Sequence, residues 1–199
     1  MAQKMTTRSV GRPREFDEEA ALEAAMEAFW AKGFEATSMA DLCDCTGLHK
    51  GSLYQAFGDK HTLFMNALAH YADSEFHATT AVLSESASPL ENLRAVVNKI
   101  CEDAAGEKGC MMINSMVELA PHDPAVKTAL LGFGRQRMQA VTEMIANAQG
   151  SGELSVKTEP QKLARQLMMT MAGGAAMVKG LLTPDAYIET MKELIDSWV

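Results

Sequence analysis

Apolar residues recur at three- and four-residue spacings along almost the whole chain, while alternating runs bounded by hairpin turns are missing. That periodicity predicts helices throughout and an all-α fold. Asp17 reads as the N-cap of a first helix, with Glu18 and Glu19 where negative charge suits the helix dipole. Its apolar stripe is Leu22, Ala25, Met26, Phe29 and Trp30, and Gly33 ends it. Ser38 opens a second helix with Asp41 in capping-box register; Met39, Leu42 and Cys43 point inward and Gly47 stops it. A third helix runs from about His49 to Phe57. The fourth starts after Asp59, places Leu63, Phe64, Ala67, Leu68 and Tyr71 on its inner side, and links two units.

Past a turn over residues 85–89, Pro89 takes the first position of a fifth helix carrying Leu93, Val96, Val97 and Ile100, broken by Gly106 to Gly109. A short apolar helix follows from Cys110 to Leu119, closed by Pro121. Asp123 and Pro124 then open a long helix reaching about Ala148, and residues 150–158 form a loop. The last two helices span Pro160 to about Leu182 and Pro184 to Trp198, with Thr183 as the N-cap between them. The first of this pair is apolar on more than one face, so burial on both sides is expected. About nine helices result.

Two short helices meeting at Gly47, with Leu48 and Leu53 as the seam, have the mechanics of a helix-turn-helix. The second presents Lys50, Ser52, Tyr54 and Gln55 outward at a spacing a major groove accepts, and Gly51 permits close approach of a phosphate. The chain therefore divides into a basic arm at 1–15, a helix-turn-helix DNA-binding domain at 16–62, and a larger helical regulatory unit at 63–199. The formal net charge of −8 argues against unselective coating of nucleic acid. Positive charge is local instead. Residues 1–60 hold seven Lys/Arg against ten Asp/Glu, but Lys4, Arg8, Arg12 and Arg14 precede every acid, and Lys50 and Lys60 flank the motif.

The stretch from Thr37 to Lys60 resembles the DNA-binding core of the TetR family of bacterial transcriptional regulators. The residues that carry the likeness are the Thr-Ser start, Asp41-Leu42, Gly47-Leu48, Lys50-Gly51-Ser52-Leu53-Tyr54, Phe57 and Lys60. It extends upstream through Ala24, Phe29 and Gly33-Phe34-x-x-Thr37, covering roughly residues 12–70. The resemblance implies that Thr37, Lys50, Gly51, Tyr54 and Lys60 hold the phosphate backbone while His49, Ser52 and Gln55 face base edges. Ser38, at the mouth of the second helix, joins this DNA-facing set. Asp44, Cys45 and the Gln55-Ala56 pair depart from the commoner family pattern, so operator sequence does not transfer. Gly11-Arg12-Pro13-Arg14 is an extended basic arm, and Arg12 and Arg14 are candidates for an adjoining minor groove.

Beyond residue 80 the order of breaks is similar to TetR-family regulatory domains, and Gly109 to Ser115 with Glu118 to Pro124 resembles one common subgroup. The implied protein is a ligand-responsive repressor that releases its operator when a small apolar or amphipathic effector binds the C-terminal domain. Fifteen methionines are many for 199 residues. Met111, Met112, Met116, Met138, Met168 and Met171 are candidates to line an adaptable pocket, against the alternative of ordinary core filling. The last two helices resemble the family's dimer interface, with Leu167, Met171, Gly174 and Ala175 as the expected contacts; intrachain burial competes. A two-fold operator read at about one DNA turn (~34 Å) favours the homodimer.

Four irregularly spaced cysteines give no disulfide framework. Cys110, at a helix start where the dipole lowers a thiol pKa, is the candidate for an alternative redox- or electrophile-sensing repressor. His70 and His77 with Cys101 or Cys110 form only a generic metal spacing, so no metal and no cofactor are expected. Cys110 with His122 lacks a third orienting group, and no phosphate loop or paired carboxylates appear, so an enzyme is not expected. No apolar stretch is long enough for a signal h-region or a membrane span, which places the protein in the cytoplasm and off the membrane.

Overall fold

The computed structural model describes residues 16–85 and 87–199, and everything described is helix or connection. Nine helices follow in chain order among the described residues: α1 (Glu18–Lys32), α2 (Met39–Thr46), α3 (Lys50–Phe57), α4 (Lys60–Thr80), α5 (Pro89–Ala104), α6 (Met111–Glu118), α7 (Pro124–Gly150), α8 (Pro160–Met177) and α9 (Pro184–Asp196). The basic arm, with Arg12 and Arg14, lies outside the described residues.

The predicted caps set these boundaries. Asp17 accepts from the Glu19 and Ala20 N–H groups, Asp59 from Thr62, and Asp123 from Ala125 and Val126. Ser38 with Asp41 closes the expected reciprocal capping box, and the structure adds a second, Ser88 with Glu91, beyond those expected. Each such cap satisfies otherwise orphaned donors and contributes about 1 kcal/mol.

α1 packs chiefly on α4 and α2, so the small three-helix head is built onto the long helix that leaves it. Aromatic rings fill this seam: Phe64 of α4 meets Phe29 edge-on at 5.2 Å and Phe34 at 5.0 Å, and Tyr71 meets Trp30 at 5.0 Å. Such pairs add to simple area burial because ring edges and faces carry opposite partial charge. The second unit is a bundle in which α7 packs on α5 and α8, and α9 packs on α5 and α8. Its core includes Leu93, Val97, Ile145, Leu167 and Tyr187, all almost fully buried.

Two expectations need correction here. α8 stops at Met177 instead of reaching Leu182, because the N–H groups of Gly180, Leu181 and Leu182 all turn back onto the Met177 carbonyl. Nor is α8 buried on both sides within the chain. Its inner face is buried, but Met169 is 70% exposed, and Gly173 and Ala176 lie open beside it.

Candidate nucleic-acid interface

The head presents α3 as its most open helix. Gly47 turns the chain from α2 with φ 68°, a left-handed geometry that a side chain disfavours. Leu53 and Phe57 then anchor α3 inward. This leaves His49, Lys50, Gly51, Tyr54 and Gln55 exposed, with Ser52 half-buried beside them. The Lys50 ammonium lies 5.7 Å from the Tyr54 ring centroid, so a cation and an aromatic ring share this exposed face of the helix. A Cβ added to Gly51 would meet no atom within 4 Å, so this point of the helix is clear for a backbone to approach.

Other expected contacts are placed differently. Thr37 is fully buried, and its hydroxyl donates to the Gly33 carbonyl at 2.6 Å. It ties down the α1–α2 turn and is not available to a phosphate. The Ser38 hydroxyl is exposed but engaged, accepting from the Asp41 N–H and donating to its carboxylate at 2.5 Å. Lys60 is half-buried with its ammonium 4.3 Å from the Phe34 ring centroid.

Asp41 also pairs with Lys32 of α1. The Lys32 hydrogen bond, then those from Ser38, hold the Asp41 carboxyl far below the usual carboxylate range.

Sequence reasoning missed the side chains that fix this head to the bundle. Glu118, the last residue of α6, accepts from the Phe34 N–H at 3.1 Å and the Glu35 N–H at 2.8 Å. Gly33, with φ 84°, makes room for it: a Cβ there would stand 2.8 Å from a Glu118 carboxylate oxygen. His61 meets the Asp123 carboxylate at 2.7 Å, Trp30 donates to the Gly109 carbonyl at 2.9 Å, and Lys108 pairs with Glu27. Segment 108–123 therefore holds the head at several points, and no local pattern announces contacts between residues this distant in sequence.

Directly behind α6 lies a cavity of about 220 Å³ whose walls include Met112, Met116, Phe133, Met168, Met171 and Tyr187. Four of the six expected methionines are thus brought together. Met111 is buried in the core and Met138 faces a separate depression beside Arg165, because each projects from a different side of its helix. Arg137 also lines the cavity and donates to Glu75 of α4 at 2.6 Å. Both were missed, although each interrupts an apolar stripe: Leu68, Tyr71, Glu75 on α4 and Phe133, Arg137, Val141 on α7.

Cys110 is on the cavity wall but only 5% exposed, and burial pushes its thiol pKa up. Desolvation outweighs the helix-dipole effect expected for this position, so the thiol stays protonated. Its side-chain partner is Tyr71, while His122 is exposed to solvent. His70 is engaged by Glu23 at 2.6 Å, and no group of three potential metal ligands occurs among the described residues.

The residues expected at a dimer interface are used inside the chain. Leu167, Met171 and Ala175 are buried in the core, and Gly174 lies against Tyr187, whose ring would be 2.2 Å from an added Cβ.

Comparison with known proteins places these features in one context. Residues 21–67 match the family of bacterial regulatory proteins, tetR family, and residues 89–194 match a tetracyclin repressor-like C-terminal domain. The HTH-type transcriptional repressor ComR of Escherichia coli K12 is 31% identical over 170 residues, covering 83% of this chain and 81% of that protein. BdcR, another HTH-type transcriptional repressor of that organism, is 29% identical over 197 residues, covering 92% and 99%. A cysteine mutant of the TetR-family regulator CifR, solved with 26-bp operator DNA, superposes with a TM-score of 0.81 at 26% identity, covering 95% of this chain and all of that one. Among the described residues no helix is long and apolar enough to cross a membrane.

Proposed function

We propose that this chain, which belongs to the TetR family and is a DNA-binding transcriptional regulator, is a homodimeric cytoplasmic repressor that releases its operator when a small apolar or amphipathic molecule enters the bundle. The observation that carries this reading is the coexistence of the exposed polar face of α3 with a cavity whose wall, α6, ends in the Glu118 clasp on the head. A ligand that fits the cavity better in one head orientation than another shifts the population toward that orientation, and operator affinity changes accordingly.

Lys50, Tyr54 and the open backbone at Gly51 supply phosphate contacts in this reading, and His49, Ser52 and Gln55 read base edges. Arg12 and Arg14 extend the contact into a neighbouring minor groove. The outer side of α8 supports a dimer: Met169 offers apolar area, and Gly173 and Ala176 allow a partner helix to come close. A two-fold assembly is what places two copies of α3 on successive major grooves.

Selection of duplexes from a random library by the full-length protein tests the proposal. The expected product is an inverted repeat with half-sites about one helical turn apart. No enrichment, or enrichment of an unpaired half-site bound by a monomer, would sink it.

A further inference from the structure

The cavity behind α6 has a charge distribution that narrows the chemistry of its occupant. Its lining is apolar except for Cys110, Tyr187 and one charged side chain, Arg137. The Tyr187 hydroxyl is committed, donating to the Met171 carbonyl at 2.9 Å. Arg137 is not: a guanidinium carries five N–H donors in a planar fork, and the contact with Glu75 is a single hydrogen bond at 2.6 Å. That arrangement leaves unused the bidentate geometry in which arginine binds carboxylates best.

The two partners also differ in accessibility. The Glu75 side chain is 5% exposed and that of Arg137 is 21% exposed, so a molecule in the cavity meets the cation first. A protonated amine would face Arg137 with like charge, and a wholly apolar molecule would leave its free donors without partners. A wider cleft of about 590 Å³ between α4 and α7 shares Met112, Phe133 and Arg137 with the cavity. Asp73 and Glu143 line that cleft, which disfavours it as the resting place of an anion.

We infer that the cavity takes a small organic acid, its carboxylate paired with Arg137 and its compact apolar body held among Met112, Phe133, Met168 and Met171. This inference rests on the effector reading above and specifies its chemistry. At about 220 Å³, close-packed filling leaves room for roughly seven to ten non-hydrogen atoms. The incoming carboxylate competes with Glu75 for the guanidinium. Because Glu75 belongs to α4, weakening that pair loosens α4 from α7 at the point nearest the ligand, and α4 carries the head.

The test uses the full-length protein and its selected operator at matched ionic strength. Hexanoate and benzoate are compared with hexanamide and benzamide, reading operator affinity by anisotropy and ligand binding by thermal shift. The acids at 10 mM (roughly, for the weak affinity of a ligand this small) should weaken operator binding at least about tenfold, and the amides less than about twofold. Arg137→Gln should abolish the response to the acids. Arg137→Lys, a milder change that keeps the charge but not the fork, should reduce it several-fold. Glu75→Gln, which removes the competitor, should lower the acid concentration needed for a half-maximal thermal shift. Equal response to acid and amide would overturn the organic-acid assignment while leaving an effector cavity in place. Silence of both pairs would overturn it as well, and silence of a broad library of neutral compounds on top of that would remove the effector reading.

Discussion

Replacing Glu118 by alanine removes the carboxylate that ties α6 to the α1–α2 turn. Two N–H groups lose their acceptor, that of Phe34 in a partly buried setting and that of Glu35 at the surface. A hydrogen bond to a charged acceptor is worth about 1.5–3 kcal/mol, and the Glu35 N–H recovers much of its share from water. The net cost is therefore about 2–4 kcal/mol, or a fall of roughly 5–12 °C in melting temperature for a chain of this size. The turn leads through Thr37 into Ser38, the cap of α2, so loosening it also adds orientational freedom that operator binding must remove. We expect operator affinity to drop about three- to tenfold for that reason. Glu118→Gln keeps one carbonyl acceptor but turns an NH₂ toward a donor, and should lose at least half as much stability. Differential scanning fluorimetry and anisotropy titrations measure both effects. A melting temperature within about 1 °C of the parent, with unchanged operator affinity, would refute the clasp.

Other expectations follow from single features of the fold. Lys50→Ala should lower the salt dependence of operator binding by about one unit in log–log slope without altering the melting temperature, whereas Gln55→Ala should relax selectivity at one base pair of each half-site. Gly174→Ala drives a Cβ into the buried Tyr187 ring, and overpacking of about 1–3 kcal/mol should exceed the helix-propensity gain of about 1 kcal/mol, seen as a lower denaturant midpoint at constant slope. In native protein a thiol reagent should modify exposed Cys45 and half-buried Cys43, and reach Cys101 and Cys110 only on unfolding, as mass spectrometry of labelled peptides would show. The carboxyls of Asp41, Asp59 and Asp123 titrate below their ordinary value of 3.8 in the fold. Their stabilisation is thus present above that value and lost as pH falls through the folded pKa values, so the melting temperature should be flat above about pH 5 and drop below about pH 4. Asp41→Asn should make that acid decline shallower.

Local physics made much of this architecture legible. Asp17, Ser38, Asp59, Asp123 and Thr183 all stand at helix starts, where capping depends on a few adjacent residues. The outward set on α3 was equally readable, because Leu53 and Phe57 fix which side faces in. Thr37 was misplaced because a hydroxyl at a helix mouth can serve a phosphate or a nearby carbonyl, and only the fold brings the Gly33 carbonyl within 2.6 Å. The α8 residues went astray by a rotation about one helix axis. That helix is rich in Met, Ala and Gly on several sides, so composition does not say which stripe meets Tyr187 and which carries Met169 outward. Glu75 and Arg137 left a trace as charges within apolar stripes, but their pairing joins residues 62 apart.

If α3 reads sequence, the protein must distinguish duplexes of equal length and charge, and a competition measurement shows whether it does. Anisotropy titrations at a fixed salt concentration near 150 mM would compare the selected operator with a shuffled duplex of the same composition, for the parent protein and for Lys50→Glu. The expected result is a preference of at least about a thousandfold for the operator in the parent, and its loss on charge reversal with the fold intact. Equal affinity for both duplexes, or a Lys50→Glu protein that binds the operator as tightly as the parent, would contradict it.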